Sequence, residues 1–180
     1  MSYILARDNA LVWDRIKEQG NELIEGRQGR SHVWAALKLK PRLTELEYVA
    51  ACRAVLECSA AFDGMRQALG ERVDNSGSDF GLAARVSAAR SLENLRQAVG
   101  ARVNQPRASA CAEWLCQLWS LSEIAKGLGL TTITGTPPRT VPNARAAGTF
   151  VRKVLAAMAA YYDDLDADKG AWNAPTRDCA

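Results

Sequence analysis

SLSEIAKGLGL (residues 120–130), TTITGTPPRTV (131–141) and PNARAAGTFVRKVLAAMAAYY (142–162) run continuously, and the fold turns on how they are read. Ser120 and Glu123 have the spacing of a capping box, in which the hydroxyl accepts from a first-turn amide and the carboxylate reaches back to the cap. Ile124 and Ala125, followed by Leu128, Gly129 and Leu130, give the pattern that opens a helix-turn-helix. The small alanine admits a crossing helix, and the glycine supplies a positive-φ turn. The last segment is amphipathic. On a wheel of about 100° per residue, Phe150, Val154, Met158 and Tyr161 share one face, while Arg145, Thr149 and Arg152 lie opposite. The first face predicts packing and the second a surface open to nucleic acid. With the second helix starting near Pro142, Arg139, Thr140 and Asn143 stand at its entrance, with residue types that suit guanine edges, phosphates and adenine; Lys153 adds a further cation. A standard turn takes about three or four residues, so LTTITGTPPRTVP makes the motif atypical. It either forms a wing or joins two ordinary core helices.

Upstream, Val12, Trp13, Ile16 and Leu23 predict a modest helix over Leu11–Ile24, broken by Gly20. EGRQGRSHVWAALKLKPR (25–42) opens with glycines and ends near Pro41, so it reads as an extended basic arm. Arg27, Arg30, Lys38, Lys40 and Arg42 are its candidate phosphate contacts. Thr44 and Glu47 form another capping box, and Tyr48, Cys52, Val55, Ser59, Phe62, Met65 and Leu69 follow at helical steps toward a stop at Gly70. VDNSGSDFG (73–81) is a turn-rich break. Val86, Ala89, Leu92, Leu95 and Val99 predict a helix over Leu82–Val99, ended by Gly100. After Pro106 a further helix carries Cys111, Trp114, Leu115, Leu118 and Trp119, whose aromatics are expected at the centre of the fold. The fold class expected is all-α: a compact bundle of about four or five helices with an atypical helix-turn-helix in the C-terminal half and flexible termini. Residues 1–43 make an N-terminal helix and basic arm, 44–162 the helical domain, and 163–180 an acidic, flexible tail.

Apolar residues make up 48% of the 180, enough for a core. No run reaches the roughly 18 apolar residues of a membrane helix, and the N-terminus lacks the pattern of a secretory signal, so a soluble, cytoplasmic protein without membrane contact is expected. The formal charge of +3 does not by itself demand a polyanion. Its distribution says more: Arg139 to Lys153 holds four cations and no acid, and Arg85 to Arg107 sets five arginines against Glu93. Asp163, Asp164, Asp166 and Asp168 then follow.

Cys52, Cys58, Cys111, Cys116 and Cys179 form no CxxC pair, and an odd count without a signal predicts reduced thiols. Four of them sit in apolar helical stretches, where free cysteine behaves as a small hydrophobe; their spacing disfavours zinc. Asp164, Asp166 and Asp168 alternate as in a calcium loop, but Gly170 is one position late and Pro175 stands where glutamate is required. His32, the only histidine, has no motif partner. Without a phosphate-cradling glycine loop, nucleophile elbow or zinc-protease signature, no catalytic residue, cofactor or metal is expected.

RLTELEYVAACRAVLE, ARVSAARSLENLRQAVG and ACAEWLCQLWSLSEIAKGLGL, followed by AAGTFVRKVLAAMAAYY, resemble in order and spacing a phage-type family common in alphaproteobacteria and catalogued as a domain of unknown function. The resemblance spans Leu43 to Tyr162 and implies a phage, prophage or gene-transfer-agent setting, with a role in transcriptional regulation. It brings no catalytic residues. The final helix ends YYDD where family members often show His-Tyr-Gly, and the first 40 residues have no counterpart.

The function expected is therefore a DNA-binding transcriptional regulator on double-stranded DNA, with RNA polymerase as a further partner in the manner of late-gene activators and antiterminators. Two alternatives belong to other classes. A small-terminase-like packaging component would form a ring of many copies, and a helical adaptor or inhibitor would bind a host protein without touching DNA.

Overall fold

The computed structural model describes residues 2–27, 33–67 and 78–172. Among them the chain forms helices α1 (Ser2–Arg27), α2 (Ala35–Leu39), α3 (Glu45–Gln67), α4 (Ser78–Val103), α5 (Ala108–Cys116), α6 (Leu121–Leu128) and α7 (Ala144–Trp172). A 3-10 turn, Lys40–Arg42, links α2 to α3, and a hairpin of β1 (Thr131–Thr134) and β2 (Arg139–Pro142) links α6 to α7. The fold is all-α, with one small sheet. No helix among the described residues is long and apolar enough to cross a membrane.

The local start signals are used as the sequence predicts. The Thr44 amide donates to Glu47 Oε2 at 2.7 Å and the Glu47 amide to Thr44 Oγ1 at 3.3 Å, which satisfies two otherwise orphaned donors ahead of α3. The Ser120–Glu123 pair does the same for α6, and Gly129 closes that helix at φ 71°. Helix α7 starts at Ala144 rather than near Pro142. Pro142 ends β2, and Asn143 caps the helix by accepting from the Ala146 amide at 3.0 Å.

Helix α7 touches α2, α3, α4, α5 and α6. Ala147, Val151, Val154, Leu155, Met158 and Tyr162 are its buried positions, with Phe150 and Tyr161 half-buried beside them. The apolar stripe is thus rotated slightly from the one drawn on Phe150 and Tyr161. Around it pack Tyr48, Cys52 and Val55 of α3, Leu92, Leu95 and Val99 of α4, Leu115 of α5 and Ile124 of α6.

Four expectations are corrected. Residues 33–42 are no extended arm: Trp34 has no exposed surface, Ala35, Ala36 and Leu39 are buried with it, and the segment is helix followed by 3-10 turn. Apolar burial outweighs the arm-like composition, and two bonds fix the segment. The Trp34 indole N–H donates to the Leu115 carbonyl at 3.0 Å, and the Ala35 amide to the Trp119 carbonyl at 3.0 Å. Trp114 and Trp119, expected at the centre, are only half-buried and stack on each other with centroids 5.1 Å apart. Gly20 and Gly100 do not break their helices. A Cβ on Gly20 would lie 2.7 Å from Cys52 Cβ, and one on Gly100 would meet the Ser109 hydroxyl, so each marks where a neighbouring helix approaches closely.

Helix α7, finally, does not end at Tyr162. It runs on to Trp172 because its first acidic residues find partners across the bundle: Asp166 pairs with Arg53 of α3, and Asp164 with Arg102 of α4. Much of the break placed at 73–81 lies outside the described residues, although α4 begins at Ser78, before Leu82. Positions 173–180 also lie outside.

Candidate nucleic-acid interface

The cations fall into two kinds once their neighbours are known. Arg53 pairs with Glu57 and Asp166, Arg96 with Glu93 and Glu113, and Arg102 with Asp164. Arg107, in the left-handed conformation at φ 66°, donates to the Gly127 carbonyl. Arg96, Arg102 and Arg107 are therefore tied to neighbouring groups of the fold.

A second set gathers at one groove. Helix α2 and the 3-10 turn supply Lys38 and Arg42 on one wall, and the first turns of α7 supply Arg145, Thr149 and Arg152 on the other. The cavity between them is about 820 Å³ and has an apolar floor that includes Leu39, Pro41, Leu121 and Gly148. The floor holds the walls at a fixed distance, because Leu39 and Leu121 are core residues and Gly148 lies against both of their side chains. Among the described residues no carboxylate lies within ion-pairing distance of Lys38, Arg42, Arg145 or Arg152. Four clustered cations without a counter-charge raise the local potential, and an anion relieves it.

No family model, curated protein or solved structure matches the chain.

The residues singled out by sequence do not all converge. Arg145, Thr149 and Arg152 are exposed on the groove wall, though the Thr149 hydroxyl also turns back toward the Arg145 carbonyl at 3.4 Å. Lys153 is exposed on α7 but does not line the groove. Asn143 uses its side-chain oxygen in the α7 cap, while its amide NH2 has no cap role and is left for a ligand. Arg139 and Thr140 stand on the exposed part of β2. Lys38 joins the groove, whereas Lys40 sits over the Tyr48 ring, 4.5 Å from its centroid. Arg27 is the last residue of α1, and Arg30 lies outside the described residues.

What sequence reasoning missed is the union of two separate basic sets into one concave site, and the apolar floor between them. The connection between α6 and α7 takes the wing form. Thr131 pairs with Pro142, Thr132 with Val141, Ile133 with Thr140 and Thr134 with Arg139, and the Asn143 amide closes the base on the Leu130 carbonyl at 2.9 Å.

Cys52, Cys111 and Cys116 are buried and held as thiols. Burial pushes the Cys52 thiol up to about 11 and Cys111 up to about 12. Cys116 is raised by its hydrogen bond with the Cys58 thiol and by burial. Such thiols are poor nucleophiles and poor metal ligands, since both roles need the thiolate. Among the described residues no group of three or more histidine, cysteine or carboxylate side chains is placed to hold a metal.

Proposed function

We propose that the chain is a duplex-DNA-binding regulator whose groove between α2 and α7 grips the phosphate backbone. The observation that carries this reading is that Lys38 and Arg42, far from Arg145 and Arg152 in sequence, form with them the two walls of one groove that no carboxylate lines among the described residues. Phosphate contacts fix register and orientation, and they need cations more than they need a protruding helix. A concave site suits that role better than base reading, for which a helix must stand clear of its neighbours to enter the major groove. A phage or prophage setting for the regulator is part of this proposal, carried over from the resemblance of residues 43–162.

A salt-titrated binding assay on a duplex tests the reading. Each phosphate contact contributes about 0.9 to the slope of log affinity against log salt, so Arg145→Ala with Arg152→Ala should weaken binding and flatten the slope by about 2. Lys38→Ala with Arg42→Ala should do the same. Unchanged affinity in both double variants would remove the groove as the DNA site. No duplex binding at low salt, together with co-purification of a host protein, would favour the adaptor.

A further inference from the structure

We infer that the β1–β2 hairpin enters the minor groove of the bound duplex, with Arg139 reaching into the groove and Ile133 packing against a deoxyribose wall. This rests on the duplex-DNA reading above and assigns the part of the contact that the phosphate-gripping groove leaves open.

The hairpin is built to project. All ten residues from Thr131 to Thr140 are exposed, while Val141 and Pro142 at the base are half-buried. The base is stitched to the end of α6 through the Asn143 amide and the Leu130 carbonyl. With strands of four residues each, the tip stands roughly 10 Å from that base, more than the ~7.5 Å depth of a minor groove. Pro137 and Pro138 restrict the tip backbone, so little ordering remains to be done on binding.

The side chains on it fit a minor groove better than a major one. Major-groove reading uses long donors and acceptors such as Arg, Lys, Asn, Gln and Glu on base edges; this hairpin carries one of these, Arg139. Its other side chains are threonine, isoleucine, valine and proline, with Gly135 at the turn. An arginine beside an apolar wedge is the combination that minor-groove binders use, because a narrow groove concentrates negative potential and its walls are sugar carbons.

A single exposed apolar side chain is ordinary on a protein surface. Ile133 differs in its position and surroundings. It is 73% exposed, more than the other exposed large hydrophobic side chains of the described residues, and it sits one residue from the far end of β1. The pairing puts Ile133 with Thr140 on one face of the ribbon and Thr134 with Arg139 on the other. A tip entering end-on therefore presents the isoleucine to one wall and the guanidinium to the other side and the floor. No carboxylate occurs between Glu123 and Asp163, so nothing on this stretch repels the two flanking strands.

The full chain is tested on two duplexes of equal length, one with a central A-tract and one G·C-rich, with netropsin as a minor-groove competitor. The unaltered chain should prefer the A-tract, and saturating netropsin should displace it. Arg139→Ala should weaken A-tract binding about tenfold, lower the salt slope by about 1 and erase the preference. Ile133→Thr should weaken binding several-fold without changing the slope. Both side chains are exposed, and unchanged circular dichroism melts would show that the variants keep the fold. If the chain binds duplex but both variants bind as it does, or netropsin has no effect, the hairpin inference falls and the groove reading stands. If the unaltered chain binds neither duplex at low salt, both fall.

Discussion

Arg53 on α3 holds Asp166 on α7, with Nη1 reaching the two carboxylate oxygens at 3.0 and 2.9 Å while Nε donates to Glu57 at 2.8 Å. The same guanidinium lies 4.4 Å from the centroid of the Tyr162 ring. One side chain therefore fixes the course of α7 past the point where its apolar stripe ends. Asp166 is half-exposed, so its share is small: Asp166→Asn should cost about 0.5–1 kcal/mol. Arg53 is 14% exposed and meets an aromatic face and two acids. Arg53→Ala should cost about 2 kcal/mol or more, because the stem packing and ring contact are lost with the charge. Urea unfolding of both variants checks the order. Equal losses would mean that the stacked and packed part of Arg53 contributes nothing.

Trp34 is the largest fully buried side chain among the described residues, and its indole N–H donates to a carbonyl from α5. Trp34→Ala should destabilise by about 3–5 kcal/mol through the cavity left and the stranded Leu115 carbonyl. Trp119→Ala removes a half-buried ring and should cost clearly less. Denaturation midpoints of the two variants separate these roles; a larger loss at Trp119 would put the centre of the core where composition alone puts it.

The contrast between the two tryptophans shows which parts of the fold are legible in sequence. Caps are local, so Thr44 with Glu47, Ser120 with Glu123 and Gly129 can be read from spacing alone. Periodicity is also local, and it places the bodies of α3, α4 and α7, though not their ends. Close approach is not local. Gly20 and Gly100 look like breakers until Cys52 and Ser109 are seen against them. Asp164 and Asp166 look like a solvated tail because Arg102 and Arg53, which hold them, lie on other helices. The candidate site divides in the same way. Arg145, Thr149 and Arg152 follow from a helical wheel, but no pattern in residues 25–42 says that Lys38 and Arg42 face them. That follows only from burying Trp34 and Leu39.

The buried thiols give the chain a defined alkaline weakness. A free cysteine titrates near about 8.5, whereas burial holds Cys52 at about 11 and Cys111 at about 12 in the fold. Between the unfolded and folded values the folded chain keeps protons that the unfolded chain releases, so the slope of stability against pH is negative there. The contribution is complete below the unfolded value and lost as pH rises through the folded ones. Burial raises the phenols of Tyr48 and Tyr162 as well, which adds to the loss above about pH 10. The urea midpoint should fall steadily from about pH 9 to pH 11, and Cys111→Ala should flatten part of that fall. A flat profile across this range in the unaltered chain would contradict buried thiols.

Two glycines on α1 should respond in opposite directions to the same substitution. In an open helix interior, glycine to alanine gains roughly 0.5–1 kcal/mol by lowering the entropy of the unfolded chain. Gly26 lies in the last turn of α1, and among the described residues a methyl group there would meet nothing within 4 Å, so Gly26→Ala should raise the melting temperature by a smaller amount. At Gly20 the same methyl would lie 2.7 Å from Cys52 Cβ and 3.3 Å from its Cα, where backbone cannot yield cheaply. Gly20→Ala should therefore lower stability by about 1–3 kcal/mol, the cost of forcing two helices apart. Because propensity predicts a gain at both sites, only contact between α1 and α3 produces a sign change. Calorimetric melts of the two variants decide it, and a higher melting temperature for Gly20→Ala would detach α1 from α3.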